Sequence, residues 1–363
     1  MEILFWTSAM VIAYVYAGYP ALLAAWARLA PRPVRKGFAP GSWPSLSIVL
    51  AARNEAARLP ARIANLLDLP YGGDREIIVV SDGSTDSPAD ALAAYCERGE
   101  VRLIEVPAGG KPLALNAGVA SATGDIIVFA DARQRFSTGT LTALAGNFAD
   151  PRVGGATGEL VLDCESGDSP STIGDGVGAY WKYEKWLRRH EGLIWSTLGA
   201  TGAIYALRRS LWQPLPAATL LDDVLAPMRA VLKGWRVVFE EAATAEDRTA
   251  PDAAAEARRK RRTLAGNYQI LAQEPRLLVP VVNPVWLQYV SHKVGRLVVP
   301  WALIGVFVAS AALAASHWVY AAAFVAQAAF YGLAVAGAWF DARERQPRGG
   351  FEALPVAVRK EAR

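Results

Sequence analysis

Hydrophobic positions along this chain fall into distinct regimes, each predicting a different kind of element. Residues 3–26 carry no charged side chain. At about 1.5 Å of rise per residue, a helix of that length crosses a bilayer core of about 30 Å, so the stretch reads as a membrane span. A cleaved signal peptide is the alternative, but Met1-Glu2 is not a basic start and the apolar run exceeds a usual signal core. Residues 297–340 are also free of charge. The run is about twice what one span needs, which predicts two helices turning near Ser316-His317.

Between these runs, from Ser45 onward, short apolar segments alternate with segments of helical spacing. Strands are predicted over 46–51, 76–80, 101–106 and 125–130, and helices over 55–67, 88–98 and 112–122, with Gly124 as a C-cap. This alternation predicts an α/β fold, a mostly parallel sheet with right-handed crossovers. Beyond residue 138 the pattern is looser. It predicts helices over 138–148, 180–190 and 224–232, strands over 153–162 and 236–240, and a Gly- and Ser-rich loop over 165–178.

Charge orients the apolar runs. Arg28, Arg32, Arg35 and Lys36 follow the first, Lys293 and Arg296 precede the second, and Arg343, Arg345 and Arg348 follow it. The positive-inside rule then puts the bulk of the chain in the cytoplasm, held at the membrane. Residues 284–296 set Trp286, Tyr289, His292, Lys293 and Arg296 among apolar side chains, as in a helix lying in the interface or the start of the next span. The expected division is an anchor over 1–30, a linker over 31–44, an α/β domain over 45–275, an interfacial helix over 276–296, two spans over 297–340 and a cytoplasmic tail over 341–363.

Composition adds little beyond this. Hydrophobic residues make up 53% of the chain, above the globular norm, as membrane segments require. Two cysteines, Cys96 and Cys164, support neither a disulfide framework nor a zinc site and fit a reducing compartment. The net charge is +4, and an anionic membrane face accounts for the basic clusters at 28–36, 258–262 and 343–348, so no nucleic-acid partner is required. His190, His292 and His317 share no metal-binding spacing and read as structural.

The candidate chemistry lies at the strand ends. Asp131 arrives as the strand over 125–130 ends, and the carboxyl-end rim of an open parallel sheet is where ligands bind. Polar turns follow the other strands too: Ala51-Ala52-Arg53-Asn54-Glu55 and the run SDGSTD from Ser81 to Asp86. Each alone fits a helix cap. Together they gather like charges that call for a cation or a ligand donor. Asp82 and Glu55 suit a base and ribose, while Asp131, Lys111 and Arg133 suit a diphosphate.

At these residues the chain resembles the family 2 glycosyltransferases, inverting enzymes of the GT-A fold that move sugars from nucleotide donors. The resemblance runs from Ser45 to about Gln273 through SIVLAARNE, IIVVSDGSTD, GGKPLALNAG, GDIIVFADA, TGAIYALRR and LDDV. It implies a nucleotide-sugar site of Ala51, Arg53, Glu55, Asp82, Lys111, Asp131 and Arg133, with Asp131 the first carboxylate of a metal-binding DxD that would hold Mg²⁺ or Mn²⁺. It implies Asp223 as catalytic base and Thr201, Gly202, Ala203 and Asp222 on the acceptor side, where Trp181, Trp186 and Trp195 are candidate sugar contacts. Two departures stand out. Arg133 occupies the place of the second Asp of DxD, and Arg259-Lys260-Arg261-Arg262-Thr263 stands where processive synthases carry QxxRW, leaving Arg262 for the diphosphate but no tryptophan. The expected partners are a UDP-sugar donor, a saccharide or lipid-linked acceptor, the bilayer, and polysaccharide export or synthase proteins. A processive synthase and an inactive sugar-nucleotide-binding subunit are the alternatives.

Overall fold

The computed structural model describes residues 1–162, 172–247 and 253–344. Cys164, the first half of the predicted 165–178 loop and nearly all of the 341–363 tail therefore lie outside the described residues. Two compact units are present.

The larger unit, 13–299, holds one eight-stranded sheet. Its strands are β1 (Leu46–Ala52), β2 (Arg75–Asp82), β3 (Arg102–Val106), β4 (Ile126–Ala130), β5 (Arg135–Phe136), β6 (Val153–Leu162), β7 (Ile204–Arg208) and β8 (Arg236–Asp247), in the order β3-β2-β1-β4-β7-β6-β8-β5. From β3 to β4 all pairings are parallel, β7 is antiparallel to both β4 and β6, and β8 is parallel to β6. The expected mostly parallel α/β sheet is present. In β1, Ile48 and Leu50 enter one apolar cluster and Val49 the other, and β2 and β4 alternate likewise. Both faces are therefore covered, the condition under which a parallel strand reads as a continuous apolar run.

One face is covered by α3 (Leu59–Asp68), α4 (Pro88–Glu97) and α6 (Thr140–Gly146), through side chains such as Ile63, Leu92 and Leu144. The other is covered by α5 (Lys111–Ser121) and α8 (Asp222–Leu232), with α9 (Ala253–Gln273) contributing Ile270. A long helix, α7 (Thr172–Ile194), joins β6 to the β7 turn and packs Leu187 and Ile194 against Tyr19 and Leu23 of α2 (Tyr19–Leu29).

Several expectations are corrected. The helix predicted from 55 starts at Leu59, because Pro60 favours the first turn and Asn54 takes φ +54° in the preceding loop. Gly124 is no C-cap: α5 ends at Ser121, and a Cβ on Gly124 would stand 2.6 Å from the backbone of Leu46 and Ser47. The residue permits a close approach to β1. From Thr172 the predicted loop is helix, so α7 is much longer than 180–190. β8 continues well past 240, while β5 and β7 were not anticipated, being short or lacking an alternating pattern.

The smaller unit comprises 1–12 and 300–363. Within it, Phe5 meets Tyr320 edge-on and Phe307 lies against Phe324 and Tyr331. Three helical stretches are long and apolar enough to cross a membrane: Glu2–Leu29, Trp286–Leu313 and Trp318–Gly337. The break between the last two falls at 314–317, where the turn was predicted.

Candidate active site

The site forms where β1 and β4 part to opposite sides of the sheet and their crossovers leave a crevice at the carboxyl ends, the usual ligand position in such sheets. Ala51 and Arg53 close β1, Asp82 closes β2 and Asp131 follows β4. Asp131 is set by α3. Buried Arg62 donates from Nε to the Asp131 carbonyl at 3.1 Å and from Nη1 to Asn65 Oδ1 at 2.7 Å, and its guanidinium lies 4.1 Å above the Phe136 ring. Asn65 in turn holds both the N–H and the carbonyl of Phe136. Burial lowers the Arg62 pKa to about 9, against the opposing pull of Asp131. Sequence reasoning missed this clamp, since an arginine inside an amphipathic helix gives no sign that it points inward.

Lys111 is the centre of the site. As the first residue of α5, it places Nζ 2.9 Å from Asp131 Oδ1 and 3.7 Å from Asp222 Oδ2. Burial opposes its charge, but Asp222, then Asp131, and Asp223 outweigh burial and hold the ammonium above its ordinary pKa. The Asp222-Asp223 pair opens α8, brought there by a brace from α9. Gln269 accepts from the Leu220 N–H at 2.8 Å and donates to the Ala218 carbonyl at 3.0 Å, while Arg262 donates to the Leu220 carbonyl at 3.0 Å. Gly266 lets α9 approach closely, since a Cβ there would meet Leu221 Cγ at 2.5 Å.

Asp223 faces the turn 199–203. Its carbonyl accepts the Ala200 N–H at 2.7 Å, and a Cβ on Gly202 would stand 2.9 Å from its Oδ2. Among the described residues no side chain or N–H donates a hydrogen bond to its carboxylate. Burial, then Asp222, pushes its pKa up to about 6, while Lys111, Arg188 and Lys293 hold it down. Thr201 is bound on three sides: its N–H donates to Thr157 Oγ1, its hydroxyl to the Gly158 carbonyl, and Arg188 Nη1 donates to that hydroxyl at 2.8 Å.

The predicted residues thus divide. Lys111, Asp131, Thr201, Gly202, Asp222 and Asp223 are linked by contact, with Ala203 in the same turn. Asp82 spends its carboxylate on the N–H groups of Gly109 and Gly110, at 2.6 and 3.0 Å, and Glu55 pairs with Arg58. Arg133 points to Asp247 Oδ2 at 2.7 Å, which also receives Gln134 Nε2 at 3.0 Å. Exposed Arg262 is spent on the Leu220 carbonyl. Trp186 lies against His190 with the rings tilted and their centres 4.0 Å apart, Arg32 lies 4.9 Å over Trp195, and His292 is buried against Glu191. Among the described residues no three His, Cys, Asp or Glu side chains converge as a metal site. Asp131 supplies one hard oxygen donor on the rim, which suffices for Mg²⁺ or Mn²⁺ when water and phosphate oxygens complete the shell.

Residues 47–211 match the Glycosyl transferase family 2 model. The chain is thus similar to the family 2 glycosyltransferases over that stretch. It is 30% identical over 204 residues to poly-beta-1,6-N-acetyl-D-glucosamine synthase of Staphylococcus aureus, covering 54% of this chain and 48% of that one. It is 28% identical over 242 residues to beta-monoglucosyldiacylglycerol synthase of Synechocystis, covering 62% and 48%. The chain therefore spans about half the length of the curated relatives it matches. The GT-A fold extends further: the mannosyltransferase PcManGT of Pyrobaculum calidifontis, solved with GDP-Man and Mn²⁺, is 24% identical with a TM-score of 0.68 over 91% of this chain and 92% of that one. The family match ends at 211, before Asp222-Asp223 and α9.

Proposed function

We propose that this glycosyltransferase moves a sugar, with inversion, from a UDP-sugar to a hydroxyl of a saccharide or lipid-linked acceptor at the cytoplasmic face of a bacterial inner membrane. The observation that carries the reading is the Asp223 carboxylate: it accepts no hydrogen bond among the described residues, it has a raised pKa, and its neighbour Asp222 lies across Lys111 from Asp131. A general base needs a vacant lone pair and a pKa near the operating pH. Asp223 takes the acceptor hydroxyl proton as that oxygen attacks the anomeric carbon. The bond from that carbon to the diphosphate oxygen breaks, and its electron pair leaves with UDP.

Lys111 orients the donor and offsets diphosphate charge, while the β1 and β2 termini, Ala51, Arg53, Glu55 and Asp82, border the nucleotide. Asp131 would hold Mg²⁺ or Mn²⁺, which when bound supplies further charge neutralisation to the departing diphosphate. The named products of the relatives, a polysaccharide and a glycolipid, support both acceptor classes. The three apolar helices and their basic flanks support an inner-membrane enzyme with 45–275 in the cytoplasm, able to work with export or synthase partners. A processive synthase is the second reading, favoured by the polymer-forming relative. Thr263 in place of the expected tryptophan weighs against it.

The test is transfer from a panel of nucleotide sugars by membranes containing the full chain, with and without EDTA, beside Asp223→Asn. Wild-type nucleotide release that EDTA suppresses and Asp223→Asn abolishes is the expected result. Release unchanged by Asp223→Asn would remove the base from this scheme.

A further inference from the structure

Behind the Thr201–Asp223 turn, the basic side chains outnumber their anionic partners. The α7 residues Glu184, Arg188 and Glu191 lie on one helical face and look toward the segment bearing His292, Lys293 and Arg296. Both carboxylates are engaged there. Glu191 Oε1 accepts the Tyr19 hydroxyl at 2.8 Å and the His292 Nδ1–H at 2.7 Å, and Glu184 pairs with Arg296 and lies 3.7 Å from His292 Nε2.

Two cations are left over. Arg188 donates to the neutral Thr201 hydroxyl, and among the described residues no carboxylate comes within ion-pair distance of it. Lys293 makes no ion pair or hydrogen bond at contact distance among the described residues, and Glu184 and Glu191 act on its charge only from further off. Both are only partly exposed, and the charges of both act on Asp223. Partly buried charge with no carboxylate in direct contact is costly even where Glu184, Glu191 and Asp223 act on it from further off, and an arriving anion relieves that cost. Lys293 also stands near the start of an apolar stretch, Trp286–Leu313, and α7 packs on α2, so the pair sits where a membrane-borne headgroup meets the protein.

We propose that Arg188 and Lys293 form an anion subsite beside the base that receives a phosphate group carried by the acceptor. The proposal rests on the glycosyltransferase reading and deepens it: the sugar would go to a hydroxyl near a phosphate, in a lipid phosphate or a soluble phosphorylated acceptor. Arg188 supplies a planar fork of donors and Lys293 a point charge, the two ways in which proteins hold phosphate.

The test measures binding without donor, so it is separate from the test of turnover. The full chain in uncharged detergent is titrated with dodecyl phosphate, dodecanol and inorganic phosphate, and binding is followed by thermal shift. Dodecyl phosphate is expected to bind about tenfold more tightly than dodecanol, as for a charge-assisted contact. Arg188→Gln and Lys293→Gln each erase most of that preference, Arg188→Lys keeps part of it, and Arg98→Gln, an exposed cation paired with Glu100, leaves it intact. Inorganic phosphate bound with the same dependence on Arg188 and Lys293 bears the subsite out and points to a soluble acceptor. Equal binding of dodecyl phosphate and dodecanol overturns the proposal. So does a phosphate preference that persists in Arg188→Gln/Lys293→Gln, because the two cations would then serve only to hold down the Asp223 pKa.

Discussion

The two sides of the candidate site treat their carboxylates in opposite ways. On the parallel side, Asp82, Glu55 and Asp131 are bonded to neighbouring N–H groups, to Arg58 and to Lys111, so this half is ordered before any ligand arrives. On the mixed side, among the described residues, Asp223 stands without a donor to its carboxylate, Asp222 Oδ2 is buried without a hydrogen bond, and the Tyr205 hydroxyl, within the field of both, is buried unpaired. In the proposed reaction, preorganisation thus characterises the donor side, and unspent charge the side where the proton would move. A site that binds tightly but must let one proton change hands gains from that division.

The contrast can be broken at its narrowest point. Gly202→Ala would drive a Cβ to 2.9 Å from Asp223 Oδ2, so the base must shift. Misplacement on that scale costs on the order of 10²-fold in rate, and kcat is expected to fall by about that factor while donor affinity is kept. Equal losses in donor binding would mean that the two halves are not separable. Lys111→Met removes the cation shared by both sides, and loss of its charge-assisted contacts should weaken donor binding and turnover together, by about tenfold to a hundredfold.

Acidity sharpens the same division. As the proposed base, Asp223 must be ionised to accept a proton, and with its pKa raised to about 6, kcat/KM should be level above that pH and fall about tenfold per unit below it. A profile flat down to pH 4.5 would reassign the base. The smallest effect is expected from the brace. Gly266→Ala sets a Cβ 2.5 Å from Leu221, and overpacking of this kind costs about 1–3 kcal/mol, measurable as a lowered melting temperature. Activity per folded molecule should fall less than in Gly202→Ala, because α9 touches the backbone before Asp222 and not the carboxylates.

The parallel half was legible in the residues because its order is local. β1 to β4 are apolar runs closed by polar turns, and Asp131 and Lys111 lie within one or two residues of the element ends that deliver them. The apolar, charge-free runs were equally plain, since hydrophobic length is a property of the chain alone. Arg62, Arg188, Gln269 and β7 were not legible. An arginine's inward turn, a glutamine's grip on a loop forty-nine positions earlier and a strand of five residues all depend on what packs against them. Arg133 shows the limit most clearly: its position suggested the diphosphate, yet Asp247, from the far end of β8, holds it.

What the amino-acid sequence determined by itself was the alternation of strand and helix, the apolar spans, and the identity of the acids at the strand ends, because each follows from periodicity and side-chain chemistry within a few residues. The tertiary structure alone decided which of those acids stay unspent. Whether a carboxylate is neutralised depends on the cations and N–H groups that distant segments bring within about 4 Å of it, a distance set by packing and not by sequence spacing.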